Sequence, residues 1–136
     1  MIYLPDTNVV SRYLRGRDRK LRDRLLVKLE ECRLSAVVLM ELEYGAAKRS
    51  DMTVLRTRMD LLREMFPAVA AFDEEAAFHT GQIRARLATL RPNAQPIGPY
   101  DVMLAGQALS LGAVLVTANT SEFARVPGLV VENWER

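Results

Sequence analysis

Four acidic residues occupy positions in this sequence where side chains often do chemistry. Asp6 directly follows the first apolar run, and Glu41 lies three residues after the second. Asp101 stands in the first turn of a helical pattern, and Glu122 comes shortly after a later apolar run. If the apolar runs are strands of one parallel sheet, all four carboxylates lie near the carboxyl ends of strands, where open α/β sheets bind their ligands.

A group of carboxylates at such an edge favours a divalent metal ion. Two carboxylates about 5 Å apart repel each other by roughly 3 kcal/mol at an effective dielectric constant near 20. Oxygen ligands without Cys or His suit Mg²⁺ or Mn²⁺ better than Zn²⁺, and the single histidine, His79, falls in mid-helix. We therefore expect Asp6, Glu41 and Asp101 to hold Mg²⁺ or Mn²⁺. Such an ion activates water for phosphodiester hydrolysis, a reaction in which we also give Glu122 a catalytic role.

Polar neighbours of these acids are expected to orient them. Thr7, Asn8 and Thr117 are placed to hydrogen-bond the carboxylates and fix their rotamers. Asn119 belongs to the same supporting set, because it follows the fourth apolar run. Thr7 and Asn8 are also predicted to cap the first helix, in competition with Asp6, which can accept hydrogen bonds from the same amides.

Alternating strand and helix patterns must position these side chains. Gly16 and Gly112 are expected to end helices, and a proline-rich loop is expected over residues 91–99. The predicted strands cover residues 2–4, 34–38, 68–72, 113–116 and 129–132. The first predicted helix begins at residue 7 and extends to Gly16, and the second follows it to about residue 31. The remaining helices are predicted over residues 39–48, 51–65, 73–90 and 100–110, with a short helical turn at 119–123.

This alternation predicts an α/β fold. We expect a three-layer α/β/α arrangement with a central parallel sheet of about five strands, covered by helices on both faces. With 136 residues and no candidate linker beyond the proline-rich loop, residues 1–136 are predicted to form a single domain.

Composition narrows the class of protein. The only cysteine is Cys32, so no intramolecular disulfide can form, which suits a reducing compartment. The N-terminus lacks the pattern of a signal peptide, and no apolar run approaches the roughly 20 residues that span a bilayer. We expect a cytoplasmic protein that does not bind membranes.

Basic residues are concentrated near the N-terminus. Nine Lys and Arg residues fall between positions 12 and 33, against four acids, although the net charge of the chain is only +2. This cluster, with Arg12, Arg15 and Arg17 at its start, is either a binding surface for RNA phosphates or a solvated helix face with internal ion pairs.

Four segments together resemble the PIN-domain nucleases, and specifically their VapC branch. The likeness covers essentially the whole chain, and the segments occur in the order of the family. Its motifs are residues 6–11 (DTNVVS), 35–45 (SAVVLMELEYG), 96–109 (PIGPYDVMLAGQAL) and 115–123 (LVTANTSEF), followed by the ending from Val126 to Trp134.

The resemblance implies a toxin of a type II toxin–antitoxin pair. Members are endoribonucleases that require Mg²⁺ or Mn²⁺, form homodimers and are silenced by a VapB-type antitoxin. One position departs from the pattern, because Asn119 stands where PIN domains often have a fourth acid. Glu122 is expected to supply the missing charge, and occupancy by two metal ions is in doubt.

Two other functions remain open at this stage. The chain is alternatively a catalytically inactive PIN domain that binds RNA or serves as a scaffold. A receiver-like, Mg²⁺-binding signalling domain would use Asp73 after the third strand as phosphate acceptor. That class needs a lysine after its last strand, and the last lysine of this chain is Lys48.

Overall fold

Five short parallel strands form the centre of the computed structural model, which describes residues 1–49, 53–89 and 97–136. They pair as a three-stranded sheet in the order β1-β4-β5 and a two-stranded sheet of β2 and β3. A bridge between Tyr3 and Cys32 and a 2.9 Å hydrogen bond from the Arg33 amide to the Tyr3 carbonyl connect the two sheets. The strands are β1 (Tyr3–Pro5), β2 (Leu34–Ser35), β3 (Val69–Ala70), β4 (Val114–Val116) and β5 (Val130–Glu132).

The expected single sheet of five strands is therefore corrected to a main sheet of three and a pair beside it. The second strand stops at Ser35 and not at Val38, because the Ser35 side chain accepts a hydrogen bond from the Val37 amide and caps a helix there. A strand of two residues is too short to continue the ladder beyond the bridge at Tyr3. The parallel direction of every strand pair is as predicted.

The spatial order of the strands places a switch point beside β1. Chain connections run from β1 to β2 and β3 on one side, and from β3 to β4 and β5 on the other. Ligands of doubly wound sheets bind outside the carboxyl ends of the strands where the order reverses. Here those ends are followed by Asp6 and Thr117.

Helices connect successive strands. Gly16 and Gly112 end two of them with φ of 72° and 61°, in the left-handed region that glycine tolerates best, as predicted. The helices are α1 (Thr7–Arg15), α2 (Arg19–Val27), α3 (Ala36–Ala47), α4 (Thr53–Met65), α5 (Glu74–Ala88), α6 (Pro99–Leu111) and α7 (Thr120–Phe123), with a 3-10 turn at Leu29–Glu31.

Some predicted element bounds change. The second helix ends at Val27, and residues 29–31 form the 3-10 turn instead of its last turn. The predicted start of the fourth helix at residue 51 and the predicted end of the fifth helix at residue 90 lie outside the described residues, as does most of the proline-rich loop.

The core lies on both faces of the main sheet. All three residues of β1 and of β4 are buried, so side chains pointing to either face are covered, as in a three-layer α/β/α fold. The Gln107 side chain connects α6 to the two-stranded sheet, because it accepts a hydrogen bond from Ser35 and donates to the carbonyls of Ala70 and Ala71. No helix among the described residues is long and apolar enough to cross a membrane.

Candidate active site

Asp6 lies at the centre of the carboxyl edge, buried between β1 and α1. It is 3% exposed, and its carboxylate accepts a 2.9 Å hydrogen bond from the Val9 amide. Asp6 itself therefore caps α1, and the predicted capping by Thr7 and Asn8 is wrong. Burial raises the pKa of Asp6 against the opposing effects of hydrogen bonds from Thr117 and Val9. The carboxylate is thus fixed in direction by two donors and stripped of most of its water.

Glu41 reaches the same edge from α3. The sequence pattern predicts a helix from residue 39, which would put Glu41 in its first turn, but the helix begins at Ala36 and Glu41 lies in its second turn. The Thr7 hydroxyl donates a 2.6 Å hydrogen bond to Oε1 of Glu41. This contact joins the start of α1 to α3 and holds the Glu41 carboxylate near Asp6. The negative charge of Glu41 contributes to the raised pKa of Asp6.

Asp101 lies in the first turn of α6, as predicted, two residues after Pro99. It is partly buried, and its pKa is raised to about 6, first by burial and then by the charges of Glu122, Asp6 and Glu41. These three carboxylates come from three other segments of the chain. Asp101 therefore lies within electrostatic range of each of the other three predicted acids.

In the part of the chain that the structure describes, these acids have no ion-pair partner. Within residues 1–49, 53–89 and 97–136, no Lys or Arg forms an ion pair with Asp6, Glu41, Asp101 or Glu122. Neither Asp6 nor Asp101 has a cation among the causes of its pKa shift. The site is a patch of uncompensated negative charge.

The acids are grouped loosely. In the described part of the chain, no three Asp, Glu, His or Cys side chains stand close enough to coordinate one ion directly. Mg²⁺ commonly keeps several water ligands and uses only one or two carboxylates together with substrate phosphate. A loose group of carboxylates fits that mode better than a closed protein cage.

The supporting residues differ in how they are placed. Thr117 is fully buried, contacts Asp6 and accepts a 3.0 Å hydrogen bond from the Asn119 amide. Asn119 and Asn8 have exposed side chains on the rim. His79 lies on α5 against Phe78, with ring centroids 5.4 Å apart.

Glu135 belongs to the surroundings of the site, although it was not among the predicted residues. Its charge contributes to the raised pKa of Asp6, and its Oε1 lies 2.9 Å from Nε of Arg12. Glu135 follows β5 by three residues, so the rule that directs attention to strand ends would have found it. Arg12 also pairs with Asp18 at 3.0 Å, so its charge is already used in ion pairs within the protein.

Arg15 and Arg17 remain exposed near the end of α1. They line a cavity of about 320 Å³ together with Arg12, Asp18 and Arg19. A second, larger groove of about 570 Å³ lies between α1, α3 and α4 and includes Thr7, Arg15 and Glu41 in its walls.

A parallel α/β fold with acids gathered at its switch point defines the class of nuclease-like PIN folds, and comparison with known proteins agrees. The family model described as "PIN domain" matches residues 3–129. The chain therefore belongs to the PIN-domain family.

Individual relatives specify the branch. The chain is 38% identical over 136 residues to "tRNA(fMet)-specific endonuclease VapC" of Salmonella typhimurium, covering 97% of each chain. It is 30% identical over 138 residues to "Ribonuclease VapC2" of Rickettsia felis, covering both chains completely. The resemblance to VapC proteins seen in the motifs is confirmed.

Solved structures give the same result. VapBC2 from Rickettsia felis, bound to a DNA fragment from its promoter, matches with a TM-score of 0.88 and 28% identity over 98% of this chain and 99% of that one. DNA-bound VapBC from Salmonella typhimurium matches with a TM-score of 0.83 and 36% identity over 98% of each chain.

The receiver-like alternative is set aside, since Asp73 caps α5 through a 3.0 Å hydrogen bond from the Ala76 amide.

Proposed function

We propose that this protein is an endoribonuclease toxin of a VapBC-type toxin–antitoxin pair. It hydrolyses RNA phosphodiester bonds with Mg²⁺ or Mn²⁺ bound at the edge formed by Asp6, Glu41 and Asp101, partly through water ligands, with Glu122 completing the acidic edge. Its relatives are named as ribonucleases and endonucleases, which supports the activity.

One observation carries this proposal. Four carboxylates from four separate segments meet at the switch point of the sheet, and no cation among the described residues is paired with any of them. A fold gains no stability by gathering like charges in a half-buried place. Such a group is explained by a ligand of opposite charge.

The donor set fits a hard divalent cation. All four side chains offer oxygen, and Thr117 and Thr7 leave a carboxylate oxygen fixed in direction at Asp6 and Glu41. When bound, the ion would polarise the phosphate and lower the pKa of a coordinated water molecule. Asp6 and Asp101 are the residues best placed to hold it, because Asp6 is the buried member of the group and Asp101 lies within electrostatic range of the other three acids.

The protein's own groups have distinct tasks in this proposal. Asp6 provides a rigid anchor, since both the α1 amides and Thr117 restrain it. Thr7 keeps Glu41 directed at the edge, and Glu122 of α7 adds charge at the position where Asn119 replaces the acid of many PIN domains. Because the amide of Asn119 carries no charge, one strongly held ion is expected rather than two.

The partners are proposed from the solved relatives. Structures of VapBC assemblies from Rickettsia felis and Salmonella typhimurium match this chain along nearly its whole length. We propose that this chain is likewise held inactive by a VapB-type antitoxin and forms a homodimer.

The test is cleavage of RNA by the purified chain freed of antitoxin. We expect total RNA to be cut in Mn²⁺ or Mg²⁺ and left intact in EDTA. Expression in cells should stop growth, and co-expression of a cognate VapB-type antitoxin should restore it. RNA that stays intact in both metals would favour the alternative of an inactive PIN domain that binds RNA.

A further inference from the structure

The arginine-lined cavity at the turn between α1 and α2 is the second charged feature of the molecule. Its volume is about 320 Å³, and four of its five lining residues are arginines. Guanidinium groups that share a small cavity repel one another unless an anion lies between them. The lining residues are Arg12, Arg15, Arg17, Asp18 and Arg19.

Asp18, the acid among the described lining residues, already has partners within the protein. Asp18 caps α2 by accepting a 3.0 Å hydrogen bond from the Leu21 amide, and it pairs with Nε of Arg12. Arg12 in turn lies 2.9 Å from Oε1 of Glu135. The charge of Arg12 is therefore used inside the fold by two carboxylates, Asp18 and Glu135.

The other three arginines of the cavity differ from Arg12. Arg15, Arg17 and Arg19 are exposed, and within the described residues none of them forms an ion pair with a carboxylate. Guanidinium is always charged and offers a planar fork of donors that matches phosphate oxygens. The three side chains thus supply an anion site without a partner in the described part of the chain.

One residue, Arg15, is shared between the cavity and the groove beside Glu41. Arg15 lines both this cavity and the larger groove whose walls include Thr7 and Glu41. Four uncompensated carboxylates repel a polyanion, so a nuclease of this design needs positive charge beside the acids to hold the strand. A chain of phosphates that lies along the groove would pass from the acids to Arg15 and then into the cavity.

We infer that Arg15, Arg17 and Arg19 form a subsite for the backbone phosphates of the RNA strand, beside the bond that is cut. This inference rests on the proposed ribonuclease function and refines the sequence prediction. Arg12 leaves the predicted set because its charge is used internally, and Arg19 joins it. An acidic peptide segment is the other ligand with suitable charge, and the test distinguishes the two.

The experiment measures binding of an unstructured single-stranded RNA of about 20 nucleotides in an Asp101→Asn background, which prevents cleavage. Replacing Arg15, Arg17 and Arg19 together by alanine should weaken binding about tenfold or more and lower the slope of log K against log salt by roughly 2, since each single-strand phosphate contact contributes about 0.7. The matched control replaces three exposed arginines on α4 and α5: Arg63, Arg84 and Arg86. A charge-preserving set with lysine at positions 15, 17 and 19 should retain the salt slope.

An unchanged affinity and slope in the alanine variant, relative to the control variant, overturns the inference. So does a variant that binds RNA normally and loses affinity for the antitoxin, because the cavity would then bind an acidic peptide. Cleavage by the unmodified protein is measured in parallel. If it cleaves RNA while the alanine variant binds like the control, the subsite is wrong and the proposed function stands; if it does not cleave, the proposed function itself fails.

Discussion

At the scale of single residues, the site depends on hydrogen bonds that fix the direction of two of its carboxylates, Asp6 and Glu41. Asp6 has two such donors, Val9 and Thr117, and Glu41 has Thr7. An exposed carboxylate rotates freely and loses entropy when it binds an ion, whereas these are oriented beforehand. Activity should therefore be sensitive to residues that touch neither metal nor RNA.

Replacing Thr7 by valine tests this orientation. Valine keeps the shape of threonine but cannot donate to Glu41, so we expect RNA cleavage to fall by about 10- to 100-fold, as is usual when a partner of a metal ligand is removed. Thr57→Val is the matched control, because the Thr57 hydroxyl is exposed and bonds only the Thr53 carbonyl of its own helix. Equal activity of the two variants would remove Thr7 from the account.

Asp101 makes the free protein less stable above the pH at which it ionises. Burial and the neighbouring acids raise its pKa to about 6, so the folded state binds more protons than the unfolded state between about pH 4 and pH 6. The free energy of unfolding therefore falls as pH rises through this window, and the loss is complete above it.

Replacing Asp101 by asparagine should remove that loss. In EDTA at pH 7 we expect the variant to be more stable than the unmodified protein by about 1 kcal/mol, after allowance for solvent screening of a partly exposed group. The gain should shrink as pH falls below 6 and vanish below about 4. Urea unfolding at several pH values measures it, and a variant less stable at pH 7 would show that Asp101 serves the fold.

Residue positions were predictable where one rule decided them. Asp6, Asp101 and Glu122 follow from the position of ligands beyond strand ends. Glu135 was missed although it also follows a strand end, and only its pairing with Arg12, far away along the chain, could not be predicted from local sequence. Which oxygen accepts a cap was also undecided, since three adjacent residues, Asp6, Thr7 and Asn8, are all good capping types.

At the scale of elements, the position of Asp101 depends on how closely α6 packs on α5. A Cβ at Gly106 would lie 2.0 Å from Oγ1 of Thr80 and 2.7 Å from its backbone nitrogen. The Thr80 hydroxyl is itself bonded to the Ala76 carbonyl at 2.7 Å. Only a residue without a side chain permits the two helices to approach this far.

Replacing Gly106 by alanine should destabilise the protein by about 3 kcal/mol, because backbone atoms must move apart. Gly81 on α5 is the control, since a Cβ there would meet nothing within 4 Å. Its replacement by alanine should stabilise by about 0.5–1 kcal/mol, through the higher helix propensity of alanine. Equal unfolding free energies for the two variants would contradict the packing described here.

Element types followed from sequence periodicity, and the exception has a physical reason. The run from Leu34 to Val38 is rich in β-branched residues and favours a strand, yet α3 begins at Ala36. The Ser35 side chain caps that helix and also bonds Gln107, a contact between residues 72 positions apart. Local preference cannot reveal a partner so distant along the chain.

At the scale of the whole molecule, sheet order converts scattered acids into one site. β1 lies between β2 and β4, so the segments after β1 and β4 and the starts of α3 and α6 meet at one edge. The ion pair between Arg12 and Glu135 ties the C-terminal segment to α1 near that edge. The alternation of elements predicted a parallel sheet, whereas the break between its two parts depends on strands too short to pair continuously.

The most direct test compares two capping aspartates that share a structural task and differ in the chemistry proposed for them. Asp6 caps α1 and Asp73 caps α5, and asparagine caps helices about as well as aspartate. We predict that Asp6→Asn abolishes Mn²⁺-dependent RNA cleavage while both it and Asp73→Asn stay folded, and that Asp73→Asn cleaves at the unmodified rate. Full cleavage by a folded Asp6→Asn protein would contradict the account.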